Sequence, residues 1–430
     1  MKRSTPILLV IVLLFSISIP APSRAQATNS PTADREGRWR EDLKLFASEF
    51  PARHKDFKKL YSQPDFDNKM VALQKDIRTL SDSEIALRLM RLVASANVGH
   101  TTVYLPEMKL GFWPTALTLK WYSDGLAVVG AAPIYREALG MRVLQIGSMT
   151  PEQLLVEVAP YISHENDTWL REQSPAYFRN VEILKHVGAI GEDGRIKLTL
   201  AKPEGETFTL VTGPAGPDMK QVSMFDALPI PATLYRKHRD SYYWYEYLAD
   251  SRALYIQYNK CANDPKLSFK DFAADLFNFA DTHRVDRVII DLRFNGGGNS
   301  TVISPLTNGL KDRKELKSRV FVLIGRATFS SAQLNAVELR RNLRATLMGE
   351  PTGEKLHSYG DVRIIRLPNS GLNVQYCTNY FRMIKDSDPS ALEPDVRVAM
   401  TLKDVLAGRD PVLEAALNKQ FTNKPLQPIR

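Results

Sequence analysis

The sequence is poor in cysteine, in repeated motifs and in tracts of low complexity. Its 430 residues include two cysteines, Cys261 and Cys377, which are too few for a disulfide-stapled scaffold or for a zinc site built from cysteines. One bridge between them and two free thiols are both compatible with the sequence. Apolar residues make up 44% of the chain. This composition excludes a disordered or collagen-like protein and favours a globular one.

Charge of one sign is not concentrated anywhere in the chain. The formal net charge is +9, but lysine and arginine are scattered among acidic residues and form no long basic run. Proteins that bind nucleic acid usually carry a basic stripe or tail, so we expect no nucleic-acid partner. The histidines show no paired spacing of the kind that holds a metal, and we expect neither a metal nor a cofactor.

The amino terminus has the three-part pattern of a secretory signal peptide. Basic residues precede an apolar stretch at 7–19, and small residues follow it. The stretch is shorter than the roughly 20 residues of a membrane-spanning helix, which disfavours the alternative of a permanent anchor. We predict that residues 1–25 are the signal peptide, with cleavage after Ala25 or Ala27. The mature protein would then be periplasmic or secreted, with no integral membrane segment.

Periodicity and turn signals divide the rest of the chain into three regions. Residues 26–110 are predicted to form a helical domain, because apolar residues such as Trp39 and Leu43 recur at helical spacing. Residues 111–225 contain short strands and predict a β-rich module, which a turn-rich linker follows. In residues 236–420 strands alternate with helices, which predicts an α/β layer. The predicted fold class is a multidomain α+β protein.

Two loops of the third region carry residues suited to catalysis. The first, at 291–299, follows a buried strand and contains consecutive glycines at 296–298, whose N–H groups can approach an anion closely. The second places Ser330 and Ser331 where a strand turns into a helix. A serine oxygen is exposed there, and the N–H groups of the helix start surround a developing oxyanion. Taken alone, this serine pair is more typical of a helix cap.

Together with a histidine that follows a helix, these loops form an ordered set of motifs. The chain contains His100-Thr101, Asp-Leu-Arg-x-Asn-x-Gly-Gly from residue 291, Thr-x-Ser-x-Ala from residue 328 and Gly-x-Pro-Thr from residue 349. This order resembles the carboxy-terminal-processing (tail-specific) serine peptidases and their tricorn-like relatives. The resemblance extends from about residue 83 to residue 416.

The resemblance implies a fold, an activity and several site residues. It implies a crotonase-like α/β catalytic core, a PDZ-like module in the β-rich region, and hydrolysis of peptide bonds with Ser330 as the nucleophile. The backbone N–H groups of Ser331 and of Gly297, or its neighbour Gly296, would form the oxyanion hole. From its place after a strand, Asn295 is expected to position the substrate backbone.

The general base differs between the two branches that the chain resembles. In the tail-specific branch the base is a lysine, and Lys355 has the matching spacing from Ser330, but Tyr359 replaces the glutamine expected four positions later. In the tricorn-like branch a histidine and a late carboxylate serve, and His100 and Asp388 match those positions. A neutral imidazole is a competent base near pH 7 without a large pKa shift. We therefore expect the set Ser330, His100 and Asp388, with Lys355 as the alternative base.

These observations predict an extracytoplasmic serine endopeptidase that forms an acyl-enzyme on Ser330 and acts on peptides or proteins, including their tails. The alternative is a catalytically inactive protein of the same fold that binds a peptide or another ligand. Hydrolysis of a non-peptide ester or amide is a third interpretation, because it would use the same serine chemistry. The oligomeric state does not follow from the sequence.

Overall fold

Helices and three β-sheets make up the part of the chain that the computed structural model describes, namely residues 35–105, 109–216, 218–385 and 387–419. The predicted signal peptide, residues 1–25, lies outside these ranges. Within them, no helix is both long and apolar enough to cross a membrane.

The amino-terminal region is helical, as its periodicity predicts. Helix α4 starts at a capping box, in which Ser81 and Glu84 each accept the other's backbone N–H, and its apolar residues are buried. After α4 the chain turns through His100 into a short strand, β1 (Thr102–Tyr104). The four helices are α1 (Arg35–Arg53), α2 (Phe57–Leu60), α3 (Gln63–Asp76) and α4 (Asp82–Ala94).

The middle region is an antiparallel sheet of order β2-β3-β4-β5-β6, with β7 beside β3 and with helices packed on it. Residues of β5 alternate between buried apolar positions and less buried ones, as expected for a sheet with one face on the core. The strands are β2 (Leu117–Tyr122), β3 (Gly125–Ala131), β4 (Arg142–Ile146), β5 (Ile196–Ala201), β6 (Thr207–Thr212) and β7 (Val222–Ser223). The helices are α5 (Pro151–Val158), α6 (Asp167–Phe178), α7 (Val181–His186) and α8 (Met224–Ala227).

The third region contains a six-stranded sheet of order β15-β12-β11-β10-β9-β8, parallel except for β8. Strand β11 is apolar and buried along its whole length, which is typical of a central parallel strand. The strands are β8 (Tyr243–Leu248), β9 (Ala253–Tyr258), β10 (Arg287–Asp291), β11 (Val320–Ile324), β12 (Thr346–Gly349), β13 (His357–Arg366), β14 (Asn373–Arg382) and β15 (Val396–Arg397). The helices are α9 (Phe269–Thr282), α10 (Ser304–Asp312), α11 (Lys314–Lys317), α12 (Ser331–Leu343), α13 (Leu402–Leu406) and α14 (Pro411–Asn418).

A long hairpin of the third region packs against the amino-terminal helical region. Strands β13 and β14 pair with each other, and β14 also pairs with β1. Val374 and Cys377 of the hairpin belong to the same hydrophobic cluster as Phe46 and Phe50 of α1. Cys261 is buried in a different cluster, and the thiols of both cysteines are free. The first helices, the middle sheet and the hairpin therefore share one core.

Candidate active site

A cavity of about 750 Å³ lies where the three regions meet. It is lined by His100 from the turn after α4, by Trp169 from α6 and by Ser330 before α12. The glycine-rich loop after β10 and the carboxyl group of Glu354 complete its polar wall. The fold thus brings Ser330 and His100, which the sequence analysis selected, into one concave site.

Ser330 stands on a sharp turn between β11 and α12. Its backbone has φ 53° and ψ −129°, a conformation that residues with side chains rarely adopt. Thr328 holds the turn, because its hydroxyl donates to the carbonyl of Leu292 at 2.8 Å and accepts the N–H of Gly325 at 3.0 Å. The side chain of Ser330 makes no capping hydrogen bond to α12. The common role of a serine before a helix therefore does not explain this residue.

The glycine-rich loop packs directly against the Ser330 turn. Gly297 has φ 107°, and a β-carbon at this position would lie 2.7 Å from the Cβ of Ser330. The N–H of Gly297 donates to Oδ1 of Asn295 at 2.9 Å, and Nδ2 of Asn295 donates to the carbonyl of Tyr258 at 2.8 Å. Asn295 is fully buried and does not line the cavity, contrary to its expected contact with substrate. Its two hydrogen bonds hold the glycine-rich loop in place.

Gly298 faces the start of α12. Its carbonyl accepts the hydroxyl of Ser331 at 2.7 Å. Its two neighbours bond to Cys261 instead, through the carbonyl of Gly297 at 3.1 Å and the N–H of Asn299 at 2.6 Å. Since successive residues of an extended segment direct their backbone groups to opposite sides, the N–H of Gly298 is directed away from Cys261. Within the described ranges, neither this N–H nor that of Ser331 has a hydrogen-bond partner.

His100 is held by stacking and by its own backbone. Its ring stacks on Phe329 with centroids 4.5 Å apart, and Phe329 stacks on Trp169 at 4.0 Å. The carbonyl of His100 accepts the side-chain amide of Gln375 at 2.8 Å. Only 8% of His100 is exposed. The packing fixes the ring in one orientation at the wall of the cavity.

Glu354 joins the histidine to the serine turn. Its Oε1 lies 3.2 Å from Nδ1 of His100, and its Oε2 accepts the N–H of Ser330 at 2.7 Å. Burial lowers the pKa of His100, but the negative charge of Glu354 outweighs burial and raises this pKa above its ordinary value. Nδ1 of His100 makes no hydrogen bond with a described residue, so at this distance the Glu354 carboxylate can stabilise the imidazolium by its charge.

A second carboxyl, Glu165, spans the two segments that carry His100 and Glu354. Its Oε1 accepts the N–H of Gly99 at 3.3 Å, and its Oε2 accepts the N–H of Lys355 at 2.9 Å. Burial, reinforced by the charge of Glu354, raises the pKa of Glu165 to about 8. Neither carboxyl was predicted from the sequence to take part in catalysis.

Lys355 and Asp388, the other two predicted catalytic residues, pair with each other. Nζ of Lys355 is 3.9 Å from Oδ2 of Asp388, and the two side chains are 38% and 57% exposed. Neither residue lines the cavity. The carboxylate that contacts His100 is Glu354, which enters the buried site while its neighbour Lys355 faces solvent. The structure thus replaces Asp388 by Glu354 at the histidine.

The polar groups of the cavity suit proton transfer and nucleophilic attack. A serine, a histidine and two carboxyls meet around the Ser330 turn. In the described part of the chain, no group of three or more histidine, cysteine, aspartate or glutamate residues is placed to hold a metal ion. A serine, a histidine and carboxyl groups placed in this way are suited to acid–base and covalent chemistry.

No protein-family model matches the chain, and no curated protein is detectably similar in sequence. Solved structures do match it. Mature CPAF complexed with lactacystin is 14% identical, with a TM-score of 0.62 over 89% of this chain and 99% of that chain. Mature CPAF is 14% identical, with a TM-score of 0.61 over 88% and 96% of the two chains, and a CPAF mutant gives 14% and 0.59 over 88% and 98%. These neighbours are serine peptidases of the carboxy-terminal-processing family, and this chain shares their fold, as its motifs predict.

Proposed function

We propose that this protein is a serine endopeptidase in which Ser330 is the nucleophile, His100 the general base and Glu354 the carboxylate that orients the base. One observation carries the proposal: Glu354 contacts both the ring of His100 and the N–H of Ser330, and all three residues line one cavity. The fold that the chain shares with CPAF supports peptide hydrolysis. Lys355 is exposed and paired, so a lysine base has less support.

The reaction would proceed through an acyl-enzyme. His100 accepts the hydroxyl proton through Nε2 while Oγ of Ser330 attacks the carbonyl carbon of the scissile bond. The imidazolium that forms faces the Glu354 carboxylate through Nδ1. The ring then protonates the leaving amine, which departs as the C–N bond breaks and an ester on Ser330 remains. Water, deprotonated by the same ring, hydrolyses this ester and releases the carboxylic acid and the free serine.

We assign the oxyanion hole to the backbone N–H groups of Gly298 and Ser331. Both groups lack a partner within the described residues, and both belong to segments that line the cavity. The N–H of Gly297, which the sequence analysis favoured, is already bonded to Asn295. Gly297 instead allows the loop to approach Ser330. Gly296 also lines the cavity and is the alternative donor.

The substrate would be a peptide or protein that enters as an extended chain. The mature protein would consist of a helical domain at 26–110, a PDZ-like module at 111–225 and a crotonase-like catalytic core at 236–420. The antiparallel sheet of the middle region, with α6 packed across β2, supports a module that holds an extended peptide and feeds its tail to the core.

The location of the enzyme is part of the proposal. Residues 1–25 would be a signal peptide, and the mature enzyme would be periplasmic or secreted. Amino-terminal sequencing of the protein made from the full chain tests this, because cleavage gives a chain that begins at Gln26 or Thr28. A chain that keeps Met1 in the exported fraction would contradict it.

Covalent labelling by a fluorophosphonate probe tests the active site. Such probes need an activated serine, because an ordinary hydroxyl reacts far more slowly. We expect mass spectrometry to find the label on Ser330 in the wild type, and to find it lost in His100→Ala and strongly reduced in Glu354→Gln. Asp388→Asn and Lys355→Ala are the matched controls and should be labelled like the wild type.

The same experiment separates the alternatives. Label that survives in His100→Ala but disappears in Lys355→Ala would establish a serine–lysine pair. A folded protein that takes no label and cleaves no peptide would be a binding protein of this fold. A labelled protein that hydrolyses esters but no peptide library would be a hydrolase of another substrate class.

A further inference from the structure

A second cavity, of about 220 Å³, lies between the middle sheet and the α/β core. Lys120 of β2 lines it from one side, and Asn259 and Lys260, which follow β9, line it from the other. Phe294 of the glycine-rich loop also lines it, whereas Gly296, two residues further on, lines the active-site cavity. One loop is thus shared by the two cavities.

Every charged side chain that lines this second cavity is a cation. They are Lys120, Arg239 and Lys260. Among the described residues, none forms an ion pair or a hydrogen bond with any of these three side chains. Glu172 and Glu350 act on Lys120 through their charges without forming an ion pair with it. Burial lowers the pKa of Lys120, and these two charges only partly oppose the lowering. Positive charge left unpaired in a concave, partly desolvated place attracts an anion.

Aromatic rings hold two of the three cations in position. Nζ of Lys120 is 5.4 Å from the ring centroid of Phe294 and 5.8 Å from that of Tyr122. Nζ of Lys260 is 4.4 Å from the ring centroid of Tyr242. Contacts of this kind orient an ammonium group without neutralising its charge. Lys120 and Lys260 are therefore preorganised around the cavity.

We propose that this cavity, which we call the Lys120 cavity, binds a small oxyanion, that is, a phosphate or carboxylate group. Lysine and arginine are the side chains that proteins use to bind such groups. The volume is below the roughly 300 Å³ at which pockets for drug-sized ligands begin, so the ligand is a single anionic group with few attached atoms. The bound anion would join Lys120 of the middle sheet to Arg239 and Lys260 of the core.

Calorimetric titration of the mature protein with inorganic phosphate, at an ionic strength held constant with chloride, tests the proposal. We expect one phosphate per chain and at least tenfold weaker binding in Lys120→Met. Lys120→Arg keeps the charge and should bind within a few-fold of the wild type. Lys197→Met is the matched control, because Lys197 is an exposed lysine of the same sheet, and its binding should not change.

The source of the oxyanion is distinguished by competition. A short peptide with a free carboxyl terminus that displaces phosphate, while the same peptide with an amidated terminus does not, identifies a carboxylate ligand. Phosphate binding that neither peptide disturbs identifies free phosphate. Both results support the Lys120 cavity as an oxyanion site.

Three outcomes would overturn the proposal. They are a folded wild type that binds neither phosphate nor the free-acid peptide, unchanged binding in Lys120→Met, and equal weakening in Lys197→Met. If Lys120→Met does not fold, as judged by circular dichroism, Arg239→Gln replaces it, because Arg239 is exposed and its loss should also weaken binding several-fold. The site is independent of the proposed peptidase activity, so Ser330→Ala should bind phosphate as the wild type does.

Discussion

Gly297 and Ser330 are in such close backbone contact that no side chain fits between them. A β-carbon at 297 would lie 2.7 Å from Cβ of Ser330 and 3.0 Å from the nitrogen of Ser331, and the φ of 107° itself favours glycine. We expect Gly297→Ala to displace the serine turn and to slow fluorophosphonate labelling about 100-fold, as small misplacements of reacting groups do.

Gly296→Ala is the matched control for that change. A β-carbon at 296 meets no atom within 4 Å, so labelling should stay within a few-fold of the wild type. Circular dichroism would show whether both variants fold. Equal losses in the two variants would mean that the contact with Ser330 does not matter.

The charge of Glu354 should govern both the rate and its pH dependence. Glu354→Gln keeps the shape but removes the charge beside His100, and we expect peptide turnover to fall by about 10³-fold or more. In the wild type, we expect activity to be lost as the pH falls through the pKa of His100, which lies above its ordinary value. Without the Glu354 charge this pKa falls, so the acid limb of the kcat/KM profile should move to lower pH.

Asp388→Asn is the comparison for Glu354→Gln. Asp388 pairs with Lys355 at the surface, so neither the rate nor the acid limb should change appreciably. The assignment of Glu354 would be wrong if Asp388→Asn moved the acid limb and Glu354→Gln did not.

Glu165 should make the folded protein less stable as the pH rises. Its pKa is about 8 in the folded protein, above the 4.5 of an ordinary glutamate, so the folded state holds the proton more tightly. Stability is therefore lost as the pH rises between these two values. We expect the unfolding free energy of the wild type, minus that of Glu165→Gln, to fall by on the order of 3 kcal/mol between pH 5 and pH 9.

Urea unfolding at a series of pH values measures this difference. Glu157→Gln is the control, because Glu157 is exposed on α5 and should leave the pH dependence of the wild type unchanged. Parallel curves for the wild type and Glu165→Gln would show that Glu165 does not titrate in this range.

The glycine-rich loop also depends on a buried cation. Arg293 is 5% exposed and donates to Asp410 at 2.8 and 2.7 Å and to Asp291 at 2.6 Å. Arg293→Met leaves two buried carboxylates without their partner, and we expect a loss of about 3–5 kcal/mol in the free energy of unfolding. Arg397→Met breaks the exposed pair with Glu393 and should cost less than about 1 kcal/mol. Similar losses in both variants would refute the buried network as a source of stability.

Much of the α/β core could be predicted because its signals are local. The alternation of strands and helices predicted for residues 236–420 is observed, for example, in strand β9 and helices α9 and α12. The cavity also brings together Ser330 and His100, which the motif order selects. Elements of this kind can be predicted without knowing which distant residues they contact.

The acid at the histidine could not be predicted in the same way. Glu354 and Asp388 lie in irregular segments, where no period tells which side chain faces inward. The direction of Glu354 is set by tertiary contacts, among them the bond from the N–H of Lys355 to Glu165. The position of the carboxylate in the tricorn-like branch therefore pointed to Asp388, which is exposed, rather than to Glu354.

The segment that supplies Glu165 and Trp169 was also missed. The sequence suggested a β-rich module there, whereas α6 occupies 167–178. A local signal exists, since Asn166 caps the helix by accepting the N–H of Trp169 at 2.8 Å. Pro175 inside the helix interrupts the pattern and hides it.

The pairing of β1 with β14 affects the order in which the protein folds. Thr102 lies opposite Gln375, whose amide also holds the carbonyl of His100. Contacts between such distant parts of a chain form late, because a large loop must close first. We therefore expect His100 to reach Ser330 only after synthesis has passed residue 375 and the hairpin has docked on the first helices. The proposed peptidase would be inert until then, while its own unfolded chain is still within reach.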